Sequence, residues 1–281
     1  PRPAPPARHA SLPAASPDGK QVVFCSDRDG GRTELYVADL ATGLSRRLTY
    51  SDDEEQAPQW TEVGHRIVYT VSRGDTTLLE SVAPDGSGTR TLFRRVAKSV
   101  RLSHDGQRVA CTVGSWTRNR ILVSNVDGTH ARAVTDTTAG YFNLAWSPDD
   151  RMLAATHRDS SGALQIWLVS SDGTAKPREL VRLRDDEGRP QWPAWSPDGT
   201  RIAFQSDRPV RDDPAKSDAS ICIVDVASGA VTKLRAHPKP FLDETPAWVD
   251  RDSIVFQSTQ TGAFEVWVMR ADGSGARRVT K

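Results

Sequence analysis

The stretch "AWSPDGTRIAFQSDR" at residues 194–208 decides the fold, because residues 14–28, "AASPDGKQVVFCSDR", say nearly the same thing. Looser copies follow: "QWTEVGHRIVYT" from Gln59, "RLSHDGQRVACT" from Arg101, "AWSPDDRMLAAT" from Ala145 and "AWVDRDSIVFQS" from Ala247. Self-similarity at a period of roughly 40–50 residues is the mark of a repeat architecture. Each copy begins at an apolar anchor (Ala15, Trp60, Leu102, Trp146, Trp195, Trp248) followed by a tight turn, Ser-Pro-Asp-Gly in the best copies. Proline fixes φ there and glycine accepts φ > 0. A β-branched run follows, then a second run ("ELYVADL", "RILVSNV", "QIWLVSS", "ICIVDV", "EVWVMRA"), another Gly turn, and a short basic segment such as "SRRLT" or "ARRVT".

Four short strands per unit without helical periodicity describe a propeller blade. The sequence therefore predicts an all-β fold, a six-bladed β-propeller of four-stranded antiparallel blades, over residues 11–281. The blades fall at about 11–50, 51–96, 97–136, 137–183, 184–234 and 235–281, behind a Pro-rich tether at residues 1–10. No blade need be shared between the two ends of the chain, so the ring is expected to close by packing alone unless residues 3–10 add a strand. The last segment of each unit carries Arg46, Arg47, Arg94, Arg95, Arg132, Arg178, Lys233, Arg277 and Arg278. On an outer edge such charges discourage strand-to-strand association.

The "W-S-P-D-G" turn, the "I-A-F-x-S-D-R" strand and the "D-G-S-G-x-x-R-x-V/L-T" ending resemble the TolB-type β-propeller repeat. The resemblance implies a six-bladed propeller and leaves the activity open, since such blades serve as binding modules, as enzymes and beside peptidase domains. Two departures stand out: the α/β domain that precedes the propeller in TolB is not in this sequence, and blades 2 and 6 have lost the Pro-Asp-Gly turn ("WTEVGH", "WVDRDS").

The charge balance is 37 Lys and Arg against 36 Asp and Glu, a net of +1, so no global field favours a polyanion and nucleic acid is not expected as a partner. No apolar run approaches the roughly 20 residues of a transmembrane helix. The start "PRPAPPARHA" reads as a trimmed or processed chain, with any signal peptide outside it. Cys25, Cys111 and Cys222 lie in three different blades without metal-site spacing and read as small apolar residues of buried strands.

A meander that starts at the inner strand places its first and third turns on one face of the ring, face two. The second turn and the blade-to-blade connections lie on face one. Face two repeats the Asp-Gly turns, whose carboxylates are expected to bond their own backbone. Face one varies, and variable loops on a rigid scaffold are where binding resides. Its connections are "TYSDDEEQA" (49–57), "RRVAKS" (94–99), "TDTTAGYFN" (135–143), "RDDEGRPQW" (184–192) and "RAHPKPFLDE" (235–244). Six tryptophans repeat at strand positions, whereas Trp116 and Trp192 do not. With Tyr141, Phe142 and Phe241 they are expected to put aromatic side chains into the loops of blades 3 to 6.

Beside these aromatics the expected channel-face binding residues are Glu55, Lys98, Arg101, Asn143, Arg189, Gln191, Asp243 and Glu244. The acidic connections are either solvated loops or carboxylates at the channel mouth that receive a basic segment or a hard cation such as Ca²⁺. The candidate metal ligands are Glu55, Glu187, Glu244, His157 and His237, and no cofactor is required. No G-x-S-x-G elbow, H-E-x-x-H or P-loop is present. The reading is a noncatalytic, monomeric binding module, periplasmic or secreted with peripheral envelope association open to it, that docks a protein segment or peptide on face one. The alternatives are a metal-assisted lyase or hydrolase acting on a saccharide or small metabolite at the channel mouth, and a regulatory propeller of a larger protein.

Overall fold

The computed structural model describes residues 9–29, 32–61, 65–184, 186–210, 213–234 and 241–280. The six blades follow one another along the chain. They comprise β1 (Ala10–Ala15), β2 (Gln21–Ser26), β3 (Glu34–Asp39) and β4 (Ser45–Arg47); β5 (Glu55–Trp60), β6 (Ile67–Arg73), β7 (Thr76–Val82) and β8 (Arg90–Arg95); and β9 (Lys98–Leu102), β10 (Arg108–Gly114), β11 (Asn119–Asn125) and β12 (Arg132–Ala133). The second half holds β13 (Gly140–Trp146), β14 (Met152–Arg158), β15 (Leu164–Ser170) and β16 (Arg178–Arg182); β17 (Arg189–Trp195), β18 (Arg201–Val210), β19 (Asp213–Asp225) and β20 (Val231–Lys233); and β21 (Asp243–Trp248), β22 (Ser253–Ser258), β23 (Glu265–Arg270) and β24 (Arg277–Arg278). Every sheet runs in simple meander order, so each blade is local in sequence.

The first strands pack on one another around the axis, β1 against β5 and β21, β13 against β9 and β17, and β17 against β21. The core lies between blades. Val23, Leu35, Ile67 and Tyr69 fill the seam of blades 1 and 2, and Ala154, Ile166, Ile202 and Phe204 that of blades 4 and 5. Cys25, Cys111 and Cys222 are buried thiols in these layers, as expected, and burial pushes Cys111 and Cys222 up to about 11.

Face two is built as the turn chemistry predicts. Ser16, Ser103, Ser147 and Ser196 each donate to the Asp two residues on, at 2.5–2.7 Å. The same serines accept the backbone N–H five residues on. These hydrogen bonds hold Asp18, Asp149 and Asp198 below the usual carboxylate range. Gly19 takes φ +66° at the end of the turn, but blade 4 has Asp150 there at φ +56°. Its carboxylate explains the exception: it accepts the N–H groups of His104 and Asp105 at 2.8 and 2.9 Å and lies 2.9 Å from His104 Nδ1. A strained residue thereby ties blade 4 to blade 3.

Ring closure uses no shared sheet among the described residues, in line with the sequence expectation. Ala10, Phe24 and Tyr36 of blade 1 pack against Val255, Val266 and Val279 of blade 6. Ala10 N–H donates to the Phe264 carbonyl at 2.8 Å and Leu12 N–H to Gln257 Oε1 at 3.0 Å. Residues 1–8, most of the predicted tether, lie outside the described residues.

Three outer-strand arginines reach across the blade seams. Arg277 Nη2 donates to the Leu40 carbonyl at 2.7 Å, Arg132 Nη2 to Ser171 at 3.3 Å, and Arg46 Nη2 to Pro84. The three acceptors occupy equivalent positions after the third strand of the next blade, so these side chains clamp neighbouring blades together.

Candidate functional site

All six inner strands break register at the same place. The bulges lie between Ser11 and Ala14, Gln56 and Gln59, Phe142 and Ala145, Gln191 and Ala194, and Glu244 and Ala247, with the matching irregularity in β9. Each carries one residue with positive φ three positions before the anchor: Leu12, Ala57, Ser99, Asn143, Trp192 and Thr245. In four of the six the next residue is proline, which suits an inner edge where no ladder N–H is needed. Bulges re-aim side chains beside functional sites, and here they form a ring around the axis. A β-branched or bulky residue in this conformation is a genuine outlier, so Leu12, Trp192 and Thr245 are the strained members.

Two cavities meet at that ring. An axial one of about 260 Å³ is lined by the anchors Trp60, Trp146, Trp195 and Trp248 and by the residues before them, Gln59, Ala145, Ala194 and Ala247. A larger one of about 770 Å³ opens on face one as a wedge between blades 2 and 3, bounded by Gln56, Thr70, Lys98, Thr112 and Trp116. Ala57, Arg101, Asn143 and Trp192 line both, and so form a waist between them. On the face-two side of the wedge Gln59 joins the blades, its Nε2 donating to the Leu102 carbonyl at 3.0 Å.

Lys98 Nζ sits 4.3 Å from the ring centre of Trp116, which is 61% exposed. The Trp116 loop is anchored from blade 4: Asn119 Nδ2 donates to the Ser115 carbonyl at 2.9 Å while its Oδ1 accepts Tyr141 N–H at 2.8 Å. Gly140 permits the approach, since a Cβ there would lie 2.5 Å from the Trp116 carbonyl oxygen. Arg101 is the lone cation of the waist. Its Nη1 donates to the Val100 carbonyl at 3.0 Å, and burial lowers its pKa to about 10.

Several expected site residues stand elsewhere. Tyr141 and Phe142 are strand residues of β13, 4% and 9% exposed, not loop aromatics, because the inner strand of blade 4 begins at Gly140. Glu55 is 1% exposed between blades 1 and 2 and accepts from Thr49 Oγ1. Burial first, and then the neighbouring Glu34, push it up to about 7. Asp243 is buried and accepts from Ser258 Oγ at 2.5 Å, and Glu244 accepts from Gln257 Nε2 at 2.8 Å. Burial raises Glu244 as well. Arg189 and Gln191 both hold Asp207, at 2.9 and 2.8 Å. Phe241 is half-buried, its carbonyl accepting Ala219 N–H at 3.0 Å.

The metal candidates do not converge. Glu187 accepts Arg184 N–H and Nη2. His157 is sandwiched between Tyr141 and Trp167, with Nδ1 3.0 Å from Gln165 Oε1, and burial lowers its pKa. His237 lies outside the described residues. Among the described residues no three His, Cys, Asp or Glu side chains form a group that could hold a metal ion. The sequence reading missed the left-handed ring, although Leu12-Pro13, Ala57-Pro58, Trp192-Pro193 and Thr245-Pro246 at one repeat position were its signal.

Residues 4–183 match the family described as the lipoprotein LpqB beta-propeller domain. The chain belongs to this family. The LpqB-type propeller is also similar to the Tol-Pal system protein TolB of Anaeromyxobacter dehalogenans, 32% identical over 225 residues that make up 77% of this chain and 38% of the relative. It is 26% identical over 173 residues, 62% of this chain and 24% of the relative, to the uncharacterized peptidase YuxL of Bacillus subtilis. A TolB structure from Agrobacterium tumefaciens superposes with a TM-score of 0.69 at 20% identity, covering 88% of each chain, and shows the fold. The chain thus spans less than half the length of the curated relatives it matches. Among the described residues of the LpqB-type propeller no helix is long and apolar enough to cross a membrane.

Proposed function

We propose that this propeller is a noncatalytic binding module of the cell envelope that docks a protein segment or peptide on face one, in the wedge between blades 2 and 3. One observation carries the reading: the wedge of about 770 Å³ runs from the exposed Trp116 and Lys98 down to a waist shared with the axial cavity. A groove of this size with an aromatic at its lip and polar groups inside suits an extended segment with one or two large anchors. The envelope location rests on the lipoprotein of the family's description. The test is retention of synthetic hexapeptide pools on the immobilised protein. Loss of retention in Trp116→Ala with none in the face-two variant Asp172→Asn supports the reading, and equal retention by both contradicts it.

A second reading is favoured by the length of the relatives: the propeller is the regulatory or recognition part of a longer protein, as a quarter-length match to a peptidase allows. Limited proteolysis of the product of the whole reading frame, followed by mass measurement, separates the two.

A further inference from the structure

The position just before the anchor faces the channel in every blade and lines the axial cavity. It is Ala14, Ala145, Ala194 and Ala247 in four blades, Gln59 in blade 2 and Arg101 in blade 3. Arg101 therefore extends its guanidinium into space that four alanines leave open. One of its five N–H groups is used by the Val100 carbonyl, and among the described residues no carboxylate lies within ion-pair distance of it. A half-buried cation without a counter-charge, held at the meeting point of two cavities, is a receptor for an anion.

The surroundings select the anion. Asn143 and Trp192 complete the waist with an amide and an aromatic wall. Lys98 stands at the lip of the wedge, stacked on Trp116. One guanidinium balances one negative charge, and its planar fork matches a carboxylate through two parallel hydrogen bonds. A phosphate dianion in the same place would leave a charge uncompensated. We propose that Arg101 is the receptor for a carboxylate carried into the waist by the segment that docks on face one. This rests on the docking reading above, and it adds the chemistry of the group that the segment must present: a free peptide C-terminus, or the carboxylate of an Asp or Glu.

The experiment uses the full ¹⁵N-labelled protein. Arg101 Nε–H is assigned by its disappearance in Arg101→Gln, and Arg101→Lys keeps the charge without the fork. Probes are acetate, inorganic phosphate and three hexapeptide pools: free C-terminus without Asp or Glu, the same pool amidated, and an amidated pool with one Glu. Acetate should shift the Arg101 signal. At least one carboxylate-bearing pool should be retained ten-fold or more over the amidated acid-free pool, and that advantage should vanish in Arg101→Gln. Which pool gains tells the C-terminus from the acidic residue. Because the substitution removes an unpaired charge, Arg101→Gln should fold and melt no lower than the parent. Equal retention of the pools by Arg101→Gln and the parent overturns the proposal and leaves the docking reading standing. An acetate shift with no pool retained removes the docking reading and the delivered carboxylate with it. A phosphate shift that free-carboxylate peptides do not compete away overturns the choice of anion, and no shift with any probe overturns the receptor.

Discussion

The indole N–H of Trp146 donates to the backbone carbonyl of Arg101 at 3.1 Å. The anchor of blade 4 thus fixes the inner strand of blade 3 at the residue whose side chain occupies the waist. Trp248 makes the equivalent bond to Ala194 at 3.0 Å. Trp60 and Trp195 do not: their indole nitrogens are buried without a partner among the described residues. Trp146→Phe should therefore lower the unfolding free energy by about 1 kcal/mol more than Trp195→Phe, the worth of one net hydrogen bond. Urea denaturation of the two variants reads the difference. An equal loss would show that the indole bond adds nothing to packing.

Blades 1 and 6 meet without a covalent connection, whereas the polypeptide itself spans each of the other seams. Their contact rests on the Ala10 and Leu12 hydrogen bonds and the shared apolar layer. Native-state hydrogen exchange should show the β1, β2 and β22 amides opening below the global free energy, with those of β14 and β15 tracking it. Uniform protection around the ring would contradict this.

Arg277 crosses the same seam to the Leu40 carbonyl. Arg277→Met should cost about 1 kcal/mol and speed exchange in β1 to β3. Its exposed neighbour Arg278→Met should stay within about 0.5 kcal/mol. If both variants behave alike, the outer arginines act on association and not on closure.

Glu55 gives the fold a pH dependence of unusual sign. The single Thr49 hydroxyl proton faces Glu55 and Glu34, and Arg47 pairs with Glu34 at 2.7 Å, so Glu55 is left without a cation and burial favours its protonated form. Its pKa is raised from 4.5 to about 7. A raised folded-state value means the contribution is complete below the unfolded pKa and is lost as pH climbs through about 7. At about 1.4 kcal/mol for each pH unit the loss amounts to at most about 3.5 kcal/mol. Glu55→Gln should remove this part of the fall in stability between pH 5 and 8, leaving a shallower slope than the parent's, as followed by thermal melting. An unchanged slope would place the proton elsewhere.

The ring of blades was legible because Ser-Pro-Asp-Gly turns and alternating strands are local chemistry, repeated until chance is excluded. The face-two carboxylates follow from the same local rules. The site was legible only where the side chain belongs to an exposed loop, as with Trp116, or to the channel-facing edge of an inner strand, as with Lys98 and Arg101. Tyr141, Phe142, Glu55 and Asp243 read as mouth residues because they fall inside the blade-to-blade connections 135–143, 49–57 and 235–244. Their inner strands in fact begin before the connection appears to end, and one residue of extra strand turns a loop side chain into a buried one. The arginine clamps were invisible because their acceptors are backbone carbonyls of another blade, which carry no sequence signature.

The central claim is that binding resides on face one and passes through the waist. Its most direct test is the affinity of one hexapeptide isolated from the retained pools, measured by titration calorimetry against the parent, Trp192→Ala and the face-two variant Asp198→Asn. If Trp192 is a central anchor, its truncation should cost about 2 kcal/mol or more, some thirty-fold in Kd, while Asp198→Asn leaves Kd within a factor of two. Loss of affinity in Asp198→Asn with Trp192→Ala unaffected would put the binding surface on the opposite face and contradict the account.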